Sequence, residues 1–249
     1  MMSTLHIGTS GWNYGHWRGP FYPDDLPPRR WLPFYAERFS SVEVNYSFYR
    51  LPARSTLEQW REAVPDDFVF AVKANRYITH MKKLKDAREP LQAFYERVEA
   101  LGAKLGPILF QLPPNWSFNR DRLARFLSLL APAHRHAFEL RDERWINKEA
   151  LELLRAHEAA LCIYDFRGRT APKTLTADWA YVRLHGPQET PYWGAYDRQT
   201  LASWAERIGA WRAQGRDVYG YFDNDAAGQA PVDARTLAAL CADRERPTA

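Results

Sequence analysis

The stretch RHAFELRDERWINKEALELLRAHEAALCIYD, residues 135–165, reads as strand, helix and strand. In Arg135–Arg141, Phe138 and Leu140 share one face while Ala137, Glu139 and Arg141 share the other, which is the period-two alternation of a strand. Asn147 stands where a side-chain cap would open a helix, and Leu151, Leu154 and His157 come after it at a spacing of three. Ala160–Asp165 is a second β-rich run. A helix returning one strand to the next implies parallel pairing.

The same alternation extends in both directions. Strands are expected at Leu5–Thr9, Ser41–Ser47, Phe68–Asn75, Pro107–Leu112, Trp179–His185 and Asp217–Phe222. Ser55-Thr56-Leu57-Glu58 has the form of a capping box opening a helix through Trp60 and Val64. Leu91, Phe94, Val98 and Leu101 mark a helix within Asp86–Lys104. Leu123, Phe126, Leu127 and Leu130 mark another, as do Leu201, Trp204, Ile208 and Trp211, and Leu237, Ala238 and Cys241 lie on the last. The sixth connection, Arg167–Ala177, has no full helical pattern. Eight strand–helix units in 249 residues predict an α/β chain, a single (β/α)8 TIM-type barrel over residues 1–249 with an irregular sixth connection.

Composition is that of a globular protein, 46% hydrophobic and 26% charged. No apolar run approaches the length of a membrane span, and the N-terminus does not read as a signal peptide, so the expected location is cytoplasmic with no membrane partner. Cys162 and Cys241 sit in apolar settings and are expected reduced and buried. A net charge of +4 is permissive for anionic substrates or nucleic acid. Lys82-Lys83-Leu84-Lys85 is the one local basic cluster. Walker, Gly-x-Gly-x-x-Gly, His-Glu-x-x-His and Gly-x-Ser-x-Gly motifs are absent. Oligomeric state has no signature in the chain.

The residues that alternate inside the strands carry the chemistry. Glu43, Asn45 and Ser47 oppose Val42, Val44 and Tyr46; Lys73 and Asn75 oppose Phe70 and Val72; Gln111 opposes Phe110 and Leu112; Arg183 and His185 oppose Val182 and Leu184. In a barrel the apolar set packs on helices and the second set points inward, where Val, Ile and Leu are usual. Ionisable groups at the strands' C-terminal ends therefore predict a polar pocket, because unpaired buried charge is expensive. The plainer alternative is an internal ion-pair network, with Lys73 and Arg183 neutralising Glu43 and Glu139.

These residues fall in motifs that resemble the YecE-like family of bacterial and archaeal proteins, classified as domain of unknown function 72. The motifs are Gly8-Thr9-Ser10-Gly11-Trp12-Asn13-Tyr14 with Trp17, Val42-Glu43-Val44-Asn45-Tyr46-Ser47-Phe48-Tyr49, Phe70-Ala71-Val72-Lys73-Ala74 and Thr79-His80. Further along come Gly106-Pro107-Ile108-Leu109-Phe110-Gln111-Leu112-Pro113, Phe138-Glu139-Leu140-Arg141 with Trp145, Arg183-Leu184-His185-Gly186, and Tyr221-Phe222-Asp223-Asn224 with Gly228, Ala230 and Pro231. The resemblance implies a TIM-type barrel. It implies little about activity beyond a suggested role on DNA, through likeness to endonuclease IV-type barrels.

The residues support several chemistries. In the first, an enzyme acts on an anionic, phosphate-containing substrate, a small molecule or nucleic acid. Glu43, Lys73, Glu139 and His185 would be catalytic. Ser10, Trp12, Tyr14, Asn45, Asn75, His80, Gln111, Arg141, Arg183, Asp223 and Asn224 would bind substrate, with no metal or cofactor. In the second, Glu43, Glu139, Asp165, His185 and Asp223 hold a divalent metal in an endonuclease IV-like hydrolase. In the third, Lys73 forms a Schiff base. A non-enzymatic binder of nucleic acid or a metabolite also fits, with Trp12, Tyr14, Trp17, Arg18, Phe21, Tyr22, Arg30 and Trp31 either as a stacking platform or as packing for the first loop. Gly8-Thr9-Ser10-Gly11 is either a tight turn or a backbone anion site.

Overall fold

The computed structural model describes residues 3–166 and 168–245. Strands β1 (Leu5–Thr9), β2 (Ser41–Val44), β3 (Val69–Lys73), β4 (Leu105–Leu112), β5 (His136–Leu140), β6 (Ala160–Phe166), β7 (Arg169–Thr170), β8 (Ala180–Leu184) and β9 (Val218–Phe222) form one sheet in the order β1-β9-β8-β6-β5-β4-β3-β2, with β7 on β6. Helices are α1 (Trp31–Ala36), α2 (Tyr46–Tyr49), α3 (Arg54–Glu62), α4 (Arg88–Val98), α5 (Arg120–Leu127), α6 (Lys148–Ala156), α7 (Arg198–Ala213) and α8 (Gln229–Glu245). The fold is α/β, a TIM-type (β/α)8 barrel. The sixth connection is irregular as expected: its described part is a two-residue strand paired antiparallel to β6, and Arg167 lies outside the described residues.

The chain divides into two compact units. The first comprises Met1–Val42, Ile163–Lys173 and Trp179–Ala249. In it β9 pairs in parallel with β1 and β8, placing Arg183 beside Tyr221 and Leu184 beside Phe222. Gly8 is required where β1 passes Ser41, since a Cβ there would collide with the Ser41 carbonyl oxygen and the Tyr35 hydroxyl. That hydroxyl accepts from Thr9 N at 2.9 Å and donates to Ser41 O at 3.0 Å, so a large aromatic is fully buried with its polar tip satisfied. The first loop packs on itself. Trp17 and Tyr22 are buried, Tyr22 stacks on Trp31 at 4.9 Å between centroids, and Tyr22 donates to Trp12 O at 2.6 Å. Of the two uses open to its rings, packing is the one the geometry shows.

The second unit comprises Glu43–Cys162 and Thr174–Asp178. Here β4 pairs in parallel with β3 and β5, and β5 with β6. The apolar face of the alternation packs on helices: Phe110 meets Phe126 of α5 edge-on at 5.1 Å, and Phe138 stacks beside Phe110 at 5.3 Å. Burying each such ring contributes up to about 3 kcal/mol, which fixes the register and so the opposite, polar face. Asn119 caps α5 through Arg122 N, and Asn147 caps α6 through Ala150 N at 3.0 Å. The capping box at Ser55 is not formed. Helix α3 begins at Arg54 with Ala53 as its N-cap and no side-chain cap, and Glu58 pairs with Arg54 at 3.0 Å instead.

Candidate functional site

In the second unit, β2 ends at Val44, so the alternation that places Glu43 stops there. Asn45 is helical in φ and ψ, and Ser47 lies within α2, not on a continued strand. Ser47 donates from Oγ to the Lys73 carbonyl at 2.6 Å, and Asn75 Nδ2 donates to the Ser47 carbonyl at 3.1 Å. Asn75 Oδ1 accepts from Tyr77 N at 2.8 Å, which makes Asn75 a tie between loops. Asn45 Oδ1 is buried and has no hydrogen-bond partner, an acceptor open to a ligand's donor.

Glu43, Lys73 and Glu139 are buried at the strand ends. The β4–β5 register sets Gln111 beside Glu139, and Gln111 Nε2 donates to Glu139 Oε1 at 3.4 Å. Arg141 Nε donates closely to the same oxygen. Glu139 is thus an oriented carboxylate with a charged partner. The Lys73 ammonium sits 4.2 Å from the centroid of the Phe48 ring, a cation–π contact.

His80 stands in a π-helical turn, Tyr77–Met81, closed by Lys82 N on Tyr77 O at 2.8 Å. Such turns insert one residue and recur at functional sites. The ring is half-buried, with Nδ1 2.9 Å from Thr79 Oγ1 and its face edge-on to Phe48 at 5.0 Å. Burial pushes its pKa down to about 4, helped by the positive charges of Lys73, Arg141 and Arg76 and opposed by Glu139. Sequence reasoning does not reach Arg76, because it lies beyond the strand where period-two alternation ends.

The first unit holds a separate polar cluster. Arg183 is fully buried and donates from one terminal nitrogen to Ser10 Oγ at 2.9 Å and to Asp223 Oδ2 at 3.0 Å. Its other terminal nitrogen lies 3.3 Å from His185 Nε2, and His185 Nδ1 lies 3.0 Å from Asp223 Oδ2. A guanidinium only donates, so Nε2 accepts and Nδ1 carries the proton toward the carboxylate. Both ring nitrogens of His185 therefore have partners within the cluster. Arg183 pairs with Asp223 and Glu139 with Arg141, so these two pairings differ from the ion-pair network expected from sequence.

Around that cluster Trp12 is buried, and Tyr14 donates to Ser10 O at 2.7 Å. Asn224 Nδ2 donates to Asp233 Oδ2 at 2.7 Å and to Gly194 O at 2.8 Å, a tie between loops. Burial raises the pKa of Asp165, whose Oδ2 accepts from Tyr196 at 3.2 Å. Strand alternation also misses Asp225, though the run Asp223-Asn224-Asp225 points to it. Burial and the Asp223 charge push it up to about 6, against the pull of His16, whose Nε2 is 3.4 Å from Asp225 Oδ2. Among the described residues no three His, Cys, Asp or Glu side chains gather as a metal-ligand set. No helix among them is long and apolar enough to cross a membrane.

The chain is similar to proteins of several bacteria. It is 24% identical to UPF0759 protein YunF of Bacillus subtilis, covering 95% of this chain and 94% of that one, and 24% identical to UPF0759 protein YecE of Escherichia coli K12, covering 94% and 91%. Its structure matches that of a DUF72 family protein of Thermotoga maritima with a TM-score of 0.86 at 28% identity, over 95% of this chain and 98% of that one. A DUF72 family protein of Enterococcus faecalis has the same fold, with a TM-score of 0.80 at 19% identity, over 96% of each chain. The model of the family described as "Protein of unknown function DUF72" matches residues 6–249, and the chain, an α/β barrel with polar clusters at its strand ends, belongs to that family.

Proposed function

We propose that this chain is an enzyme that binds an anionic, phosphate-bearing substrate beside Lys73, Arg141 and His80 and performs acid–base chemistry on it. The observation that carries the reading is the meeting of Lys73, Arg141 and Arg76 around His80, whose proton affinity is lowered first by burial and then further by these three cations. Glu43 and Glu139 are the buried carboxylates of this group and Lys73 and Arg141 its buried cations, with Arg76 exposed beside them. Lys73 and Arg141 supply the charge that holds a phosphate, Asn45 Oδ1 accepts a donor from substrate, and Glu139 is oriented by Gln111 and Arg141.

At neutral pH His80 is uncharged, so it can accept a proton when a substrate hydroxyl or water gives one up. A bound dianion would raise its basicity at the same time, which couples substrate arrival to catalytic competence. His185, with both ring nitrogens engaged, acts in this reading as a positioning residue. The test is an NMR pH titration of the His80 imidazole with and without inorganic phosphate. Phosphate should raise its pKa from about 4 toward the ordinary histidine value. An unchanged titration at saturating phosphate would sink the proposal.

A further inference from the structure

Outside the acidic and basic cluster, the same unit exposes large apolar groups. Tyr46 is 55% exposed, Tyr49 64% and Tyr77 43%, on α2 and the π-helical turn. Exposed rings this close in the fold are unusual on a surface that meets only water. Two of the three carry a cation: Arg76 lies 6.0 Å from the Tyr49 centroid and Lys82 5.6 Å from that of Tyr77. Lys83, the next residue, lies 6.0 Å from Trp116, which is half-buried. The basic run Lys82-Lys83-Leu84-Lys85 is anchored by Leu84, whose side chain is buried and whose N–H bonds Ile78 O at 3.0 Å. That anchor holds the cations beside the rings.

We infer that this face binds single-stranded nucleic acid. The complementarity is twofold. Ring faces offer stacking to bases of any sequence, and the cations beside Tyr49, Tyr77 and Trp116 meet the phosphates between bases. A duplex keeps its bases stacked on one another and could use only the charges. Small anions would have no use for the rings, and an acidic peptide would have no flat groups to lay on them. The surface shares Arg76 with the Lys73–Glu139 cluster, but its rings and Lys82 and Lys83 are its own, and it would hold a strand whether or not that cluster turns one over.

The test uses the full chain with a fluorescein-labelled oligothymidylate of about 20 nucleotides, an oligouridylate of equal length, and a duplex of equal length. The single strands should bind more tightly than the duplex, and more weakly as salt rises. Comparison of the two single strands says whether DNA or RNA is preferred, and either preference supports the inference. Tyr49→Ala and Tyr77→Ala should each weaken binding by about tenfold, while Tyr49→Phe, which keeps the ring face, should bind like the parent. Circular dichroism of each variant checks that the fold is intact. No binding at about 50 mM salt, equal affinity for duplex, or unchanged affinity in both Tyr→Ala variants overturns the inference. Lys73→Met separates the two proposals: it should shift the phosphate response of His80 to about tenfold higher phosphate and leave strand binding in place.

Discussion

The two polar clusters bury similar residue types and treat them in opposite ways. Around Arg183, the guanidinium, the imidazole of His185, the carboxylate of Asp223 and the Ser10 hydroxyl satisfy one another. Around Glu139, one carboxylate is clasped by Arg141 and Gln111, and beside it the half-buried His80 is lowered in proton affinity by burial first and by three cations next. A closed set of buried partners fixes a conformation, whereas a half-buried imidazole with a shifted pKa beside charged groups is the kind of group found at functional sites. The difference between the clusters, more than their residue types, is the reason for proposing chemistry at the second.

The largest effect should come from Asp223→Ala. It leaves Arg183 buried without its carboxylate, and should cost about 3–5 kcal/mol in denaturant unfolding. A loss under about 1 kcal/mol would mean that the cluster is not the self-satisfied one described. Lys73→Met should act on binding. Removing this buried cation should lower affinity for phosphate, followed by calorimetry, about tenfold. Equal phosphate affinity in parent and variant would erase the contrast between the clusters.

Acid should distinguish the units more finely, because two of their groups have opposite linkage. His80 is shifted down from 6.5 to about 4, so its contribution is present above 6.5 and lost as pH falls through about 4. Asp225 is shifted up from 3.8 to about 6, so its contribution is complete below 3.8 and lost as pH rises through about 6. Thermal unfolding between pH 4 and pH 7 should therefore show a flatter acid loss in His80→Gln and a steeper one in Asp225→Asn. Parallel curves for parent and both variants would contradict the assignment.

The smallest effect tests how far local motifs can be read. Asn147→Ala should cost about 1 kcal/mol as a lost cap, while Ser55→Ala should stay within about 0.5 kcal/mol, because Ala53 opens that helix. Both positions carry cap-like sequence, and only the chain's path separates them.

Much of the architecture was legible because β-strands and helices announce themselves by period. β1 falls at Leu5–Thr9 as expected, and the faces of β4 and β5 obey the alternation through Gln111 and Glu139. The same rule failed where its pattern outlived its cause: Val44-Asn45-Tyr46-Ser47 still alternates, but the strand has ended and a helical turn has begun. Arg76 and Asp225 lie past strand ends, where no period applies, so only the fold reveals Arg76 and only the run Asp223-Asn224-Asp225 hints at the other. His185 was visible as a strand-end histidine, but nothing in the sequence shows that both its nitrogens are engaged. The first-loop aromatics were legible as a group and ambiguous in use until burial of Trp17 and Tyr22 decided it.

The π-helical turn at Tyr77–Met81 makes the aim of His80 depend on chain length. Its i→i+5 closure accommodates a residue that an α-turn would not. Deleting one residue there would let the segment tighten into an α-turn and rotate the downstream residues by about 100°. Every functional group would survive such a deletion, and His80 would simply face elsewhere. At this point in the chain the direction of a side chain is set by a count of residues, and a protein can turn an imidazole away without losing the histidine.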